Sequence, residues 1–379
     1  MDMRAFWEIF CTVVDNYGDA GVTWRLARQL VAEHGQRVRL WVDDLAALAR
    51  LCPEADVDAA RQWRAGVEIC RWPAHWQPVE PADVVIEAFA CRLPETHVAA
   101  MADRRRRVLW LNLEYLSAED WVGGCHGLPS LQPGGLQKFF FFPGFTTDTG
   151  GLLRERGLIE RRRAFQADAA ARADFLQSVG VQACPGERLI SLFAYENAAL
   201  SSWLEAMASE GRPTLLLVPE GRILDDLRRW LAVPALAVGD GQRRGALRVQ
   251  VLPFVRQEAY DRLLWCCDFN AVRGEDSFLR AQWAGRPLLW HIYPQADGAH
   301  RDKLEAFLSL YLEGLSPAAA GALQELWRAW NAGAAMGPAW SALADQWPEL
   351  RAHAERWCAR QAARPDLAAA LVQFYADWL

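Results

Sequence analysis

Lysine is almost missing from this chain. Lys138 and Lys303 are the only lysines among 379 residues, and arginine supplies the other basic side chains. We interpret this preference as a coding bias toward GC-rich codons rather than as a phosphate-binding design. Acidic residues outnumber basic ones, which gives a net charge of −6. That charge argues against a nucleic-acid partner, and a basic protein surface is the macromolecular partner that fits it better.

The sequence also lacks a metal-ligand or disulfide pattern. Its nine cysteines include no CxxC spacing, and its seven histidines form no HxxxH pair. We therefore expect no zinc site, and we interpret the cysteines as small buried hydrophobic residues in a reducing compartment. No uncharged apolar run approaches the ~20 residues of a membrane helix, and the N-terminus lacks a signal-peptide core. These absences predict a soluble, cytoplasmic protein without a membrane partner.

Short apolar runs alternate with amphipathic segments in two successive parts of the chain. Because strands alternate with helix-like segments, each part predicts a parallel sheet covered by helices. A Gly- and Pro-rich passage at 117–165 lies between the two parts and is predicted to be a loop region followed by a connecting helix. The predicted strands are 7–14, 38–42, 84–89 and 108–113 in the first part, and 189–194, 214–218, 247–252, 269–272 and 287–290 in the second.

The predicted fold class is therefore α/β, with two doubly wound domains that face each other across a cleft. The first domain is expected at residues 1–165 and the second at 184–354. Ligands of open parallel sheets bind beyond the carboxyl ends of the strands. We therefore expect the chemistry at those ends.

The first candidate site is Asp15-Asn16-Tyr17-Gly18-Asp19, which follows the first predicted strand. Glycine lets the backbone turn sharply and approach a ligand, and a helix that begins nearby favours an anionic or polar group. The two carboxylates suit a general base, or a pair of acids that holds a cation. The alternative is that Asp19 only caps the helix, which leaves Asp15 without a task.

The second candidate site is Arg273-Gly274-Glu275-Asp276-Ser277, between a predicted strand and a helix expected to begin at Ser277. The first amides of the helix and a hydroxyl can hold a diphosphate, with Arg273 as the counter-charge. Glu275 and Asp276 would repel phosphates, so we expect them to point toward a sugar hydroxyl or an acceptor. The alternative is an Asp/Ser helix cap with solvated charges.

Two further strand ends carry aromatic residues and an amide. Tyr195 follows one predicted strand, and Phe254 and Gln257 follow another. Aromatic rings and a glutamine amide suit a nucleobase, which is bound by stacking and by hydrogen bonds to its edge. The alternative is that Tyr195 and Phe254 belong to the core. His291, at the end of the last strand, is interpreted as a packed or capped histidine.

Long stretches of the chain closely resemble one family. FCTVVDNYGDAGVTWRLARQL, LFAYEN and RGEDSFLRAQWAGRP, together with the overall length, are similar to the bacterial protein-arginine rhamnosyltransferases that modify translation elongation factor P. The resemblance spans essentially the whole chain, and neither long motif departs from the family pattern. It implies the GT-B glycosyltransferase fold, with two Rossmann-like domains and a C-terminal helix, here at about 355–379, that returns to the first domain.

The resemblance also implies a reaction and a set of roles. The reaction is an inverting transfer of rhamnose from dTDP-β-L-rhamnose to one arginine of elongation factor P, with no metal ion or other cofactor. Asp19 is implied as the general base, Asp15 lies beside it in the acceptor site, and Glu275 is a second essential acid. The implied donor contacts are Asn16, Tyr17 and Gly18 at the sugar, Tyr195, Phe254 and Gln257 at thymidine, and Arg273, Gly274, Asp276 and Ser277 with Glu275 at the diphosphate and sugar.

Two alternatives stay open on the sequence. One is a GT-B transferase that uses another nucleotide sugar or another acceptor. The other is a non-catalytic sugar-nucleotide-binding protein, which would bind its ligand without loss of the sugar and would not need Asp15 and Asp19. The pair of acids argues against the second alternative.

Overall fold

The computed structural model describes residues 4–14, 17–295 and 298–379. The chain forms two compact units, one made of Met1–Arg156 with Gln361–Leu379 and the other of Gly157–Arg360. The predicted end of the first domain, residue 165, therefore falls in a helix that belongs to the second unit.

An eight-stranded sheet runs through the first unit. Its order is β3-β4-β2-β1-β5-β6-β8-β7, with parallel pairing from β4 to β8 and an antiparallel hairpin at each edge. The strands are β1 Phe6–Cys11, β2 Arg37–Val42, β3 Arg61–Arg64, β4 Val67–Arg71, β5 Val84–Ala88, β6 Leu109–Leu113, β7 Pro129–Leu131 and β8 Gln137–Phe141.

Four helices of the first unit lie between these strands: α1 Gly18–His34, α2 Leu45–Leu51, α3 Glu95–Asp103 and α4 Trp121–Cys125, with a 3₁₀ turn at Pro133–Gly135. Val22, Leu26 and Leu30 recur at helical spacing on α1, and all three are buried on one face of the helix. Gly35 ends α1 in a left-handed conformation, with φ of 65°.

A six-stranded sheet forms the centre of the second unit. Its order is β11-β12-β10-β9-β13-β14, and only the edge strand β11 is antiparallel to its neighbour. The strands are β9 Arg188–Leu192, β10 Thr214–Pro219, β11 Gly241–Arg244, β12 Leu247–Leu252, β13 Phe269–Arg273 and β14 Leu288–His291. Every strand predicted from an apolar run is thus present, within a few residues at each end.

The helices of the second unit are α5 Leu158–Ala167, α6 Ala169–Ser178, α7 Leu200–Ser209, α8 Leu224–Leu231, α9 Gln257–Cys266, α10 Asp276–Trp283, α11 Ala299–Tyr311, α12 Pro317–Ala332, α13 Gly337–Leu343 and most of α14 Trp347–Ala362, with a 3₁₀ turn at Ala344–Gln346. The last helix, α15 Leu367–Trp378, belongs to the first unit. The single helix predicted at about 355–379 is therefore wrong. Pro365, which lies between α14 and α15, has no amide hydrogen with which to continue a helix.

The connecting helix predicted after the loop region of the passage at 117–165 is confirmed by α5, but the prediction of a loop alone before it is wrong. The passage contains β7 and β8, and β8 pairs with β6 from Trp110↔Lys138 to Leu113↔Phe141. A free sheet edge supplies hydrogen-bond partners that local Gly and Pro content does not reveal.

The nine cysteines are all free. Seven are buried, as predicted, whereas Cys125 is half-buried and Cys184 is exposed. Within the described ranges, no helix combines the length and the apolar composition needed to cross a bilayer.

Each sheet has one topological switch point. In the first unit the chain builds β2 and β4 on one side of β1 and then places β5 on the other side. In the second unit β10 and β12 lie on one side of β9, and β13 lies on the other. The segments that follow β1, β9 and β13 therefore begin where open parallel sheets bind ligands.

Candidate active site

We call the segment after β1, with the carboxylates that hold it, the acidic edge: Val13, Val14, Asp19 and Asp43. The Val14 amide donates a hydrogen bond to Asp19 Oδ2 at 2.7 Å, and the Val13 amide donates to Asp43 Oδ1 at 2.9 Å. Asp19 is only 2% exposed, whereas Asp43 is exposed. The charged hydrogen bond fixes the Asp19 carboxylate beside the loop that leaves the sheet.

Helix α1 begins before Asp19. Tyr17 occupies the N-cap position without a side-chain cap bond, Gly18 is the first helical residue, and Asp19 lies inside the first turn. The alternative that Asp19 caps the helix is therefore wrong. Its negative charge still lies where the helix dipole favours it. Asp15 and Asn16 lie outside the described residues.

The segment after β5 contains a conformation that the sequence did not indicate. Phe89 and Ala90 have φ of 59° and 56°, a left-handed geometry that is rare for residues other than glycine. Phe89 stacks on Tyr115, which follows β6, with ring centroids 4.5 Å apart. The strand predicted through Phe89 therefore ends at Ala88. Such strain clusters at functional sites, and this one lies next to β1 at the switch point.

We call the corresponding side chains of the second unit the aromatic edge: Phe193, Tyr195, Arg273, His291 and Tyr293. The Arg273 guanidinium lies 4.4 Å from the Phe193 ring centroid and 4.7 Å from that of Tyr195. Both Arg273 and Tyr195 are buried. Cation–π contacts thus hold a positive charge where β9 and β13 end side by side.

The Tyr195 ring also contacts His291 and Tyr293, with centroids 5.1 Å and 5.7 Å away. His291 is buried and packs on Trp330 as well, at 5.4 Å, which confirms the prediction of a packed histidine. Burial, reinforced by the charge of Arg273, lowers the pKa of His291 to about 4. His291 is therefore a neutral ring at physiological pH.

The turn after β13 is shaped by Gly274. Its φ is 61°, which glycine adopts without strain. The Trp290 indole donates to the Gly274 carbonyl at 2.7 Å, and the Gly274 amide donates to the His291 carbonyl at 3.3 Å. These bonds tie the turn to β14 next to it.

Helix α10 begins at Asp276, one residue earlier than predicted. Glu275 occupies the N-cap position without a side-chain cap bond, and the Ser277 hydroxyl donates to the Arg273 carbonyl. The alternative of an Asp/Ser cap is therefore wrong. The first amides of a helix have no acceptor within the helix, so they suit an oxyanion next to Arg273.

Gln257 and Asp276 are brought together at the starts of α9 and α10. Gln257 Nε2 donates to Asp276 Oδ2 at 3.4 Å, and Gln257 is buried. Phe254, in the segment before α9, is half-buried. The positions of Phe254 and Gln257 do not test a contact with a nucleobase, so their predicted roles at the base stay predictions.

Two residues at or near this edge, Phe193 and Arg222, were not among the predicted site residues. Phe193 packs against the Arg273 guanidinium, and Arg222 pairs with Glu196 at 2.8 Å. Tyr293, which follows the last predicted strand, is 41% exposed beside Tyr195. Arg222 also lies 5.7 Å from the Tyr195 ring centroid. Phe193 lies near the end of the strand predicted at 189–194, which was the available signal, whereas nothing local marks Arg222.

Two sheets that are parallel except at their edges, each with one switch point, form the fold of a class of protein, the GT-B glycosyltransferases. MurG of Acinetobacter baumannii has a similar fold, with a TM-score of 0.51 at 13% identity over 98% of this chain and 99% of that chain. At that identity the likeness concerns the fold alone.

Proteins with higher sequence identity to this chain identify its family. The family model described as "Elongation-Factor P (EF-P) rhamnosyltransferase EarP" matches residues 7–376. The protein-arginine rhamnosyltransferase of Pseudomonas aeruginosa is 64% identical over 375 residues, which are 99% of this chain and 100% of that protein. A solved structure that concerns "EarP-mediated arginine glycosylation of translation elongation factor EF-P" has a TM-score of 0.73 at 50% identity, over 99% of this chain and 100% of that one. The chain belongs to the EarP family and is a glycosyltransferase, which confirms the resemblance.

Proposed function

We propose that this protein transfers rhamnose from dTDP-β-L-rhamnose to one arginine of elongation factor P, with inversion at the anomeric carbon and without a metal ion or other cofactor. The observation that carries the proposal is the Arg273 guanidinium, held on two aromatic rings at the switch point of the second sheet. Membership of the EarP family supports the choice of sugar and acceptor.

The donor is bound at the second sheet. Arg273 and the first amides of α10 hold the diphosphate, and Gly274 lets the backbone approach it. Ser277, whose hydroxyl donates to the Arg273 carbonyl, fixes this turn. Further donor contacts are Tyr195, Phe254 and Gln257 at thymidine, and Asn16, Tyr17, Gly18 and Asp276 at the sugar.

The acceptor is a cation, which suits carboxylates. A free guanidinium has a pKa above ~12, so a carboxylate does not deprotonate it in the ground state. Asp15, Asp19 and Glu275 first bind the arginine through charged hydrogen bonds and direct one Nη at the anomeric carbon. The Val14 amide keeps the Asp19 carboxylate oriented for this role.

In the transfer step the Nη lone pair forms the C–N bond as the bond from the anomeric carbon to the dTDP oxygen breaks. The electron pair of the broken bond leaves with dTDP, where Arg273 stabilises the negative charge. The Nη proton passes to Asp19 only as the C–N bond forms. Attack from the face opposite the leaving group inverts the anomeric centre.

Intact-mass measurement of elongation factor P, incubated with this protein and dTDP-β-L-rhamnose, tests the proposal. We expect a gain of one deoxyhexose, absent when the acceptor lacks its target arginine. An unchanged mass, with donor binding verified in the same sample, would overturn the proposed reaction.

A thermal-shift panel of dTDP-, UDP- and GDP-sugars tests the donor separately. We expect dTDP-rhamnose to give the largest rise in melting temperature. A larger rise with a UDP- or GDP-sugar would assign the protein to the alternative, a GT-B transferase with another donor. Binding of dTDP-rhamnose without any loss of sugar, in the presence of acceptor, would favour a non-catalytic binding protein.

A further inference from the structure

Helices α9 and α10 are joined by two pairs of polar side chains that lie one helical turn apart. Gln257 and Asp276, which we call the outer pair, are the first residues of the two helices and bond to each other. Asp261 and Arg280, which we call the inner pair, follow them by four positions in each helix and form an ion pair. Because four residues make about one turn, each helix presents both of its contacts on one face.

The inner pair is buried and bidentate. Arg280 Nε donates to Asp261 Oδ1 at 2.9 Å, and Arg280 Nη2 donates to Asp261 Oδ2 at 2.6 Å. Arg280 is 2% exposed and Asp261 is 5% exposed. Two parallel bonds between planar groups fix the angle between the side chains as well as the distance between them. The inner pair therefore holds α9 and α10 at one separation.

The outer pair holds the two helices less firmly. Its N–O distance of 3.4 Å is longer than the about 2.7–3.2 Å of ordinary N–H···O hydrogen bonds. Gln257 nevertheless carries the proposed contact with thymidine, and the first turn of α10 carries the proposed contact with the diphosphate. A ligand that spans two helix starts binds tightly only when both are correctly placed. The inner pair is thus the contact that can set this placement.

Stability alone does not call for an ion pair between these helices. Removing two charges from water is costly, and well-packed apolar residues of similar volume often give equal or greater stability. Apolar residues lack the directional bonds that select one geometry. The buried charges of Asp261 and Arg280 are therefore better explained by a required geometry than by a gain in stability.

We propose that Asp261 and Arg280 are positioning residues of the donor site, which keep Gln257 at the distance from the first amides of α10 that the donor requires. Each lies about 6 Å along its helix from the proposed donor contacts, so the inner pair acts through those contacts. The inference rests on the proposed function, because that function assigns the donor to these helix starts. Loss of the inner pair should weaken donor binding although the groups that touch the donor are unchanged.

Isothermal titration with dTDP tests the role of the inner pair. In the double variant Asp261→Leu/Arg280→Met, apolar side chains replace both charges, so no buried charge is left unpaired. We expect the dissociation constant for dTDP to rise about tenfold, roughly the loss of one ligand contact. Arg280→Lys keeps the charge but not the bidentate geometry, so the constant should rise about threefold. This single variant also provides the test if the double variant does not fold.

Arg188→Met is the matched control, because it removes another buried ion pair of the same unit. Arg188 is buried and its Nη2 donates to Glu210 Oε2 at 2.5 Å. It is the first residue of β9, at the end of the sheet opposite the switch-point segments. Arg188→Met should lower the melting temperature but leave the dissociation constant for dTDP within about twofold of the wild type.

Steady-state transfer to elongation factor P separates positioning from a purely structural role. In the double variant, or in Arg280→Lys, the donor KM should rise while kcat at saturating donor stays within about threefold of the wild type. A structural role would instead lower the folded fraction, and with it kcat, at an unchanged KM. That result, or wild-type affinity for dTDP in these variants, would overturn the inference and leave the proposed function intact. Failure of the wild type to bind dTDP would overturn the proposed donor, and this inference with it.

Discussion

At its switch point the first sheet presents buried and exposed carboxylates, whereas the second presents an arginine packed on aromatic rings. Asp19 is fixed by a backbone amide, and Arg273 by the faces of Phe193 and Tyr195. The two sheets share their topology around the switch point but not their charge. The fold thus supplies equivalent positions, and the side chains at the strand ends decide what each position binds.

Asp19, held by a backbone amide, and Arg273, held by aromatic rings, should also respond differently to substitution. An Asp→Asn substitution removes the charge of an amide-bound carboxylate with little change in side-chain shape, so it should lower the rate of the reaction. An arginine stacked on aromatic rings contributes charge to a ligand, so its replacement should lower the affinity for that ligand.

Replacement of Asp19 by Asn should lower the rate of transfer by a factor of about 10²–10⁴, because the proposed mechanism then lacks its general base. Single-turnover transfer to elongation factor P measures the effect. Asp43→Asn is the matched control, since Asp43 also accepts an amide hydrogen of the same loop. Equal losses in both variants would mean that these acids only position the loop.

Replacement of Glu8 by Gln should lower the free energy of unfolding by about 3–5 kcal/mol, because it removes one partner of a buried charge network. Glu8 lies on β1 and accepts from Arg39 Nη1 at 3.1 Å, the Trp41 indole at 3.1 Å and the Ala82 amide at 3.0 Å. Urea denaturation provides the measurement.

The control for Glu8 lies on β9, the equivalent strand of the second sheet. There the buried Ser191 hydroxyl donates to Asn270 Oδ1 at 2.7 Å, an uncharged pair. Ser191→Ala should lower the free energy of unfolding by only about 1 kcal/mol. If Glu8→Gln lowered the free energy of unfolding by no more than Ser191→Ala does, the buried charge would not be what distinguishes the first sheet from the second.

His291 should make the second unit sensitive to acid. Its pKa is lowered from about 6.5 to about 4 in the folded protein, so the unfolded chain binds more protons between these values. The stability that the neutral ring contributes is complete above pH 6.5 and is lost as the pH falls toward 4, by about 3 kcal/mol in total. His291→Phe keeps an aromatic ring beside Tyr195 and should lack this loss. An equal loss of the free energy of unfolding in the wild type and in His291→Phe between pH 6.5 and pH 4 would contradict the prediction.

Replacement of Arg273 by Gln should weaken binding of dTDP-rhamnose about 10- to 100-fold, because the proposed charge-assisted contacts with the diphosphate are then lost. Isothermal titration provides the measurement. Arg222→Gln is the control, since Arg222 also lies against Tyr195 but is exposed and paired with Glu196. An equal effect of both substitutions would show that general charge, rather than the buried guanidinium, binds the donor.

The sequence predicted the features that depend on short stretches. Apolar runs located the strands, and the polar residues after them led to Asp19 and Arg273, next to the switch points of the two sheets. Pairing between distant segments could not be predicted in this way. Phe193 reaches Arg273 only because β9 and β13 are neighbours, although 80 positions separate the two residues in the chain. The left-handed Phe89, which stacks on Tyr115, likewise depends on a contact between segments that are apart in the chain.

The most direct test of the division of roles is to measure donor affinity and single-turnover transfer side by side on the wild type, Asp19→Asn and Arg273→Gln. We predict a crossed result: Asp19→Asn binds dTDP-rhamnose within about threefold of the wild type yet transfers at least about 100-fold more slowly, whereas Arg273→Gln loses affinity first and recovers part of its rate at saturating donor. Transfer by Asp19→Asn at the wild-type rate, or loss of donor binding in that variant equal to that in Arg273→Gln, would contradict the account.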